Sequence, residues 1–150
     1  MNDLEQAMVT GLAPWDLRIS ELCNAHVTVF QDRFPVCPGH LLFVPNHNTA
    51  KVTAHAFELA LRHGQRLVDA QQCEAFNIGI NCGPAAGQTV MYPHVHLIPR
   101  RVGDCEDPVG GVRAVIPGQA NYKSSVYKKH AIDSNANEKA MIKPCQTTQE

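Results

Sequence analysis

No stretch of this 150-residue sequence approaches the ~20 continuous apolar residues that crossing a bilayer requires, so none is expected to span one. Charge of either sign is scarce. Thirteen Lys and Arg against fourteen Asp and Glu leave a net charge of −1, which argues against a generally cationic surface and bulk nucleic-acid binding. Any phosphate binding must therefore come from local arrangement. Six cysteines, at 23, 37, 73, 82, 105 and 145, include no Cys-x-x-Cys spacing, which weakens both a disulfide framework and a zinc knuckle. The first 20 residues place Asp3, Glu5, Asp16 and Arg18 among short apolar stretches, unlike a signal peptide or an anchor. There is no internal repeat. These absences predict an intracellular, cytoplasmic protein with reduced thiols. A hydrophobic content of 44% suits one respectable core in one compact domain.

What is present is periodic. Ala25-His-Val-Thr-Val-Phe30 alternates and reads as a strand. Two prolines and a glycine in Phe34-Pro-Val-Cys-Pro-Gly39 force a turn, and His40-Leu-Leu-Phe-Val44 supplies a second strand, closed by Pro45. From Asn48 to about Gln72 the apolar period becomes three to four: Val52, Ala56, Leu59 or Ala60, and His63 or Leu67. That segment is the one long helix, with Asn48 or Thr49 as N-cap. Ala75-Phe-Asn-Ile-Gly-Ile80 returns to strand character, turn residues run to Gly87, and a further strand covers about His94 to Pro99. The order predicts an α+β fold, a mainly antiparallel sheet with a helix packed on one face. From Lys123 the chain is polar and uneven, so 1–122 is the expected domain and 123–150 a mobile or loosely docked tail.

His94 and His96 stand two apart on a strand, so their side chains leave one face while Val95 and Leu97 enter the other. A neutral imidazole is a competent nucleophile at phosphorus, and its adduct is a labile phosphoramidate that water cleaves. Such chemistry needs donors aimed at phosphate oxygens, and Gly87, Gln88 and Thr89 form a turn just before the strand: Gln88 brings an amide, Thr89 a hydroxyl. By spacing alone, the His-x-His pair also fits ordinary surface or core histidines, or a metal pair. No metalloprotease-type Glu follows, and no metal ligand is assigned.

Gly87-Gln-Thr-Val90 followed by His94-Val-His-Leu-Ile-Pro-Arg100 resembles the histidine triad (HIT) family, whose motif is His-φ-His-φ-His-φ-φ, with φ apolar, after Gly-Gln-Ser/Thr-Val. The likeness extends to Val29-Phe-Gln-Asp32, Phe34-Pro-Val-Cys-Pro-Gly-His40 and Val44-Pro-Asn-His47, so residues from about 20 to 122 are covered. The stretch from Arg100 to Arg113 looks like the extension of bacterial HIT hydrolases. By this resemblance His94 is the nucleophile that becomes nucleotidylated and His96 binds the reacting phosphate. Gln88 lies near the bridging oxygen, with Gly87, Thr89 and Asn81 in the phosphate pocket. Asp32 accepts the ribose hydroxyls, Phe30 lines the base pocket, and His40 supports the histidines from behind. Arg100, with Arg101 and Arg113, could neutralise a polyphosphate or form a solvated basic face. The resemblance also implies a sheet of about five strands, extended across a homodimer.

One position departs from the motif: its first histidine falls on Tyr92, followed by Pro93. A tyrosine hydroxyl near the nucleophile could hydrogen-bond but would not carry a proton as imidazolium does near pH 7, so acid–base support is expected to weaken. Pro93, lacking an amide donor, requires a strand edge or strand entry. Trp15 is read as a core or dimer contact. His47 would need a cysteine pair to bind zinc as in some family members. The resemblance implies a nucleotidyl hydrolase acting at the α-phosphate of a purine nucleotide derivative: first a dinucleoside polyphosphate such as diadenosine tetraphosphate, second a nucleoside phosphoramidate. No resident cofactor is implied, though a polyphosphate substrate would be free to carry a divalent cation. The alternatives are a nucleotide-binding or interaction protein that turns over little because of Tyr92, and a nucleotidyltransferase or phosphorylase using the same adduct.

Overall fold

The computed structural model describes residues 1–124. Met1–Asp104 is one compact unit, and the described residues from Cys105 onward belong to a second. Apart from Lys123 and Ser124, the expected tail lies outside the described residues.

The chain opens with helix α1, Asp3–Val9, which the apolar spacing did not announce. Its signal is a capping box: the Asn2 side chain accepts from the Glu5 amide while the Glu5 carboxylate accepts from the Asn2 amide. Strands β1 (Val27–Gln31) and β2 (Leu41–Pro45) pair antiparallel as expected. Helix α2, Ala50–Asp69, starts at Thr49, whose hydroxyl accepts from the Val52 amide. Strands β3 (Ala75–Ile80) and β4 (Val95–Arg100) complete an antiparallel sheet of order β1-β2-β4-β3. Pro93 stands just ahead of β4, where its missing amide interrupts no ladder.

Four strands are present among the described residues rather than about five. A fifth is approached only along β1, where a lone bridge joins Arg18 to Phe30, flanked by hydrogen bonds from the Ile19 amide to Val29 O and from the Gln31 amide to Leu17 O. The three-residue 3₁₀ turn at Ser20–Leu22 ends that pairing before it becomes a strand.

The register sorts the side chains. On one face Val29, Phe43, Val95 and Ile80 form a row across the four strands, and Val29, Phe43 and Val95 bury completely against Ala56 and Ala60 of α2. Burying each of the larger side chains stabilises the fold by about 1.5–3 kcal/mol. The helix approaches closely at Gly64, where an added Cβ would lie 2.6 Å from the Phe76 ring. The opposite face carries the row Phe30, Leu42, His96, Gly79. There Leu4 and Ala7 of α1, with Ala13 and Tyr92, close a second apolar cluster over Phe30, Leu42 and Val44. The histidines lie on this second face, away from α2. Among the described residues, no helix is long and apolar enough to cross a membrane.

Candidate functional site

Alternation along β4 does what the sequence implies: Val95, Leu97 and Pro99 are buried, while His96, Ile98 and Arg100 are partly exposed. His94, at the strand entry, is 7% exposed, and its ring lies 5.0 Å from that of His96 at 64°.

The hydrogen bonds dictate which ring nitrogen of each histidine holds the proton. His94 Nδ1 lies 2.8 Å from the backbone carbonyl of Tyr92. A carbonyl only accepts, so Nδ1 carries a hydrogen, and in the neutral ring Nε2 is the nitrogen with the lone pair. On His40, Nδ1 accepts from the Val36 amide at 3.2 Å, so neutral His40 carries its hydrogen on Nε2. That hydrogen is donated to His96 Nδ1, 2.9 Å away. His96 must then be protonated at Nε2, a buried atom with no hydrogen-bond partner among the described residues. On neutral His94 an acceptor nitrogen, and on His96 an unsatisfied N–H donor, are therefore carried by rings whose centres lie 5.0 Å apart.

Burial, reinforced by His94 and His40 and opposed by Asp32, pushes His96 down to about 4. Burial likewise lowers His40, against the pull of Asp32. Both rings are thus neutral near pH 7, as the hydrogen-bond chain requires. Asp32 stands at the end of that chain. Its Oδ1 accepts from the Phe34 amide at 2.8 Å, and its Oδ2 lies 3.5 Å from His40 Nε2 and 4.0 Å from His96 Nδ1.

Asp32, His40 and His96 offer one ligand atom each within 4.8 Å of one another, close enough for a single metal ion. The chemistry fits poorly. A metal on His40 Nε2 would need the hydrogen moved to Nδ1, against the Val36 amide that already donates there. The three residues suit a hydrogen-bonded relay better than a cation.

The remaining sequence candidates divide. Phe30 is buried beneath the second face, and half-buried Asn81 follows β3 one step past the Ile80–Val95 pair. Gly87 takes a left-handed φ of 83°, which makes the turn before β4 possible. Gln88 holds that turn: it accepts from the Gly83 amide at 2.8 Å and donates to Val90 O at 3.0 Å. One amide hydrogen and one acceptor lone pair of Gln88 are thereby committed to the loop. Thr89 is exposed on it. The guanidinium of Arg100 is gripped by both carboxylate oxygens of Asp104, at 2.7 and 2.8 Å, and reaches Asn77 at 2.8 Å. A phosphate would have to compete with that carboxylate. Arg113 lies in the second unit, over the Tyr122 ring.

Tyr92 corrects an expectation. Its hydroxyl is engaged away from His94: it donates to Pro45 O at 2.8 Å, with the residue buried among Leu4, Ala7, Ala13 and Val44. Burial raises the phenol to about 12. Residue 92 therefore supports His94 through its main chain, which no side-chain substitution removes. Trp15 makes the expected core contact and also stands beside the histidines. Beyond packing on the second cluster, its ring stands 5.0 Å from His94 at 61° and 5.9 Å from Phe30. No local pattern marks it; folding of the N-terminal segment over the sheet brings it there.

The domain family described as "HIT domain" matches residues 22–103. A bis(5'-adenosyl)-triphosphatase of Dictyostelium discoideum is 33% identical over 108 residues, 65% of this chain and 72% of that protein. A bifunctional bis(5'-adenosyl)-triphosphatase/adenylylsulfatase of Arabidopsis thaliana is 33% identical over 79 residues, 48% of this chain and 44% of that protein. Against the first curated relatives it matches, the chain spans between 41% and 58% of their length. Among solved structures, a zinc-bound histidine triad family protein from Mycobacterium smegmatis aligns with a TM-score of 0.55 at 31% identity, over 65% of this chain and 74% of that one. The matched segment runs from just before β1 to just past β4 and contains both wired histidines, the relay behind them and the loop that Gln88 holds: the chain belongs to the HIT domain family.

Proposed function

We propose that this protein is a nucleotide hydrolase that cleaves at the α-phosphate of a purine ribonucleotide derivative through a nucleotidyl adduct on His94. The observation that carries the reading is the pair of tautomers: His94 Nε2 has a lone pair to attack phosphorus, and His96 Nε2–H is an unsatisfied donor for the phosphate oxygen on which charge develops. The new N–P bond forms as the leaving oxygen or nitrogen departs with the bonding pair, and that group acquires a proton. Water then attacks the adduct, releases the mononucleotide and restores His94. In this reading Asp32 accepts the ribose hydroxyls, half-buried Trp15 flanks the base with buried Phe30 behind it, and Asn81, Gln88 and Thr89 receive the phosphate.

A dinucleoside polyphosphate remains the first substrate. The names of the Dictyostelium and Arabidopsis relatives support it more than Arg100 does, since Arg100 is tied to Asp104. A nucleoside phosphoramidate is second. The test is incubation with diadenosine polyphosphates and adenosine phosphoramidate, followed by mass spectrometry of the quenched protein. Release of a mononucleotide with an adduct on His94 is expected. Micromolar adenosine monophosphate binding without cleavage would instead establish a binding protein.

The same reading takes the protein as a cytoplasmic homodimer whose two sheets join. The outer edge of β3 supports this, for it is unpaired among the described residues, and Ala75–Ile80 contains no proline or charge to protect it. Sedimentation at micromolar concentration should give the dimer mass; a monomer there would remove the proposal.

A further inference from the structure

The hydrogen on His40 Nε2 has two acceptors in reach. His96 Nδ1 is nearer, at 2.9 Å, whereas Asp32 Oδ2, at 3.5 Å, is a carboxylate and the stronger acceptor. His40 has no second hydrogen to offer, because the Val36 amide occupies its Nδ1. When the hydrogen points at His96, the Nδ1 of that ring is an acceptor and its Nε2 must be N–H. When it swings to Asp32, His96 Nδ1 loses its donor and the ring is free to take the Nδ1–H form. Its Nε2 then turns a lone pair, instead of a hydrogen, toward the place where a phosphate oxygen would sit.

We infer that His40 is a positioning residue that couples Asp32 to His96, so that whatever donates hydrogen bonds to Asp32 also sets the donor state of the phosphate-facing nitrogen. Resting on the reading of Asp32 as the ribose acceptor, this gives ribose recognition a chemical consequence. Oδ1 of Asp32 already takes one bond from the Phe34 amide and Oδ2 faces His40, so ribose hydroxyls donating to this carboxylate draw on the same negative charge as the His40 hydrogen. Hydroxyls donating to the carboxylate weaken its claim on His40, and the hydrogen stays on His96. A substrate without those hydroxyls binds less well and also meets fewer correctly protonated His96 rings. The ribose is therefore read in kcat as well as in KM.

Two measurements test the coupling, one with substrate and one without. With the wild-type protein, replacing the cleaved ribonucleotide by its 2',3'-dideoxy counterpart should lower kcat about tenfold, the scale of one hydrogen bond made only in the transition state, in addition to raising KM. In Asp32→Asn the neutral amide no longer competes for the His40 hydrogen, so the ribo/dideoxy ratio of kcat should fall to about one even though both substrates bind weakly. A wild-type difference confined to KM overturns the inference while leaving the hydrolase reading intact. The substrate-free arm is ¹⁵N NMR of the imidazoles in the full chain. His96 should show a pyridine-like Nδ1 and a protonated Nε2, with that form more populated in Asp32→Asn. His40→Gln, which keeps a donor without the Val36 lock, should shift the His96 nitrogens toward the other tautomer. If His96 is Nδ1–H in the wild-type protein, or if Asp32→Asn leaves the nitrogens of His40 and His96 unmoved, the coupling is wrong whatever the substrate proves to be. If the tautomers behave as expected but no nucleotide is cleaved, the hydrolase reading fails and the coupling stands.

Discussion

Replacing Tyr92 by phenylalanine separates the two ways in which residue 92 can matter. The phenol donates to Pro45 O at 2.8 Å from within an apolar cluster, and Pro45 is itself buried. Deleting the hydroxyl removes a hydrogen bond worth about 0.5–1.5 kcal/mol and strands a buried acceptor, so about 2 kcal/mol of stability should go. For a chain of this length that corresponds to a drop in Tm of about 4–8 °C. The main-chain carbonyl that orients His94 is untouched, so kcat should stay within about twofold of wild type. Tyr92→His restores the motif's first imidazole but puts a smaller, polar ring among Leu4, Ala7, Ala13, Phe30, Leu42 and Val44. It should destabilise by about 3 kcal/mol without raising the rate. The assay is calorimetry on all three proteins alongside steady-state turnover of the substrate that proves active. A tenfold gain in kcat from Tyr92→His, or a tenfold loss from Tyr92→Phe at unchanged Tm, would refute the reasoning and return the side chain to the chemistry.

Trp15 is the only tryptophan, and its ring stands 5.0 Å from His94, so intrinsic fluorescence should change on adding adenosine monophosphate, and the titration should be abolished in Asp32→Ala; an unresponsive tryptophan with binding shown by calorimetry would place the nucleotide elsewhere. His96, pushed down from 6.5 to about 4, is held neutral by the fold, so its contribution to stability is full above pH 6.5 and is lost as pH falls toward 4. By pH 5 the wild-type protein should have lost about 2 kcal/mol that His96→Gln does not lose, read by urea unfolding at pH 7.5 and 5.0; equal losses in both would contradict the assignment. Gly64→Ala would set a Cβ 2.6 Å from the Phe76 ring, so despite the better helix propensity of alanine the variant should lose about 1–2 kcal/mol in urea unfolding; a more stable variant would mean that the ring moves freely.

Much of the frame was legible in local pattern. The period of three to four marked α2, and of the two expected caps, Asn48 and Thr49, it is Thr49 that caps it. The alternation of Val95, Leu97 and Pro99 against His94 and His96 put the histidines on one face of β4, because side-chain direction in a strand follows from backbone geometry alone. The short α1 was legible only as Asn2 and Glu5 at capping-box spacing, since seven residues are too few for a period to show. The tertiary structure decided what the histidines are wired to. His40 meets His96 across 56 positions because β2 and β4 pair in the register Leu42 to His96. Trp15 reaches His94 because the N-terminal segment folds over the same face, and Tyr92 turns into the cluster that this segment closes. A neutral histidine's tautomer depends on which donor or acceptor faces each nitrogen. Those partners, at Val36, His40 and the Tyr92 carbonyl, come from separate loops and strands whose juxtaposition is set by sheet register and core packing, while the sequence by itself determined only that two imidazoles would stand together on one strand.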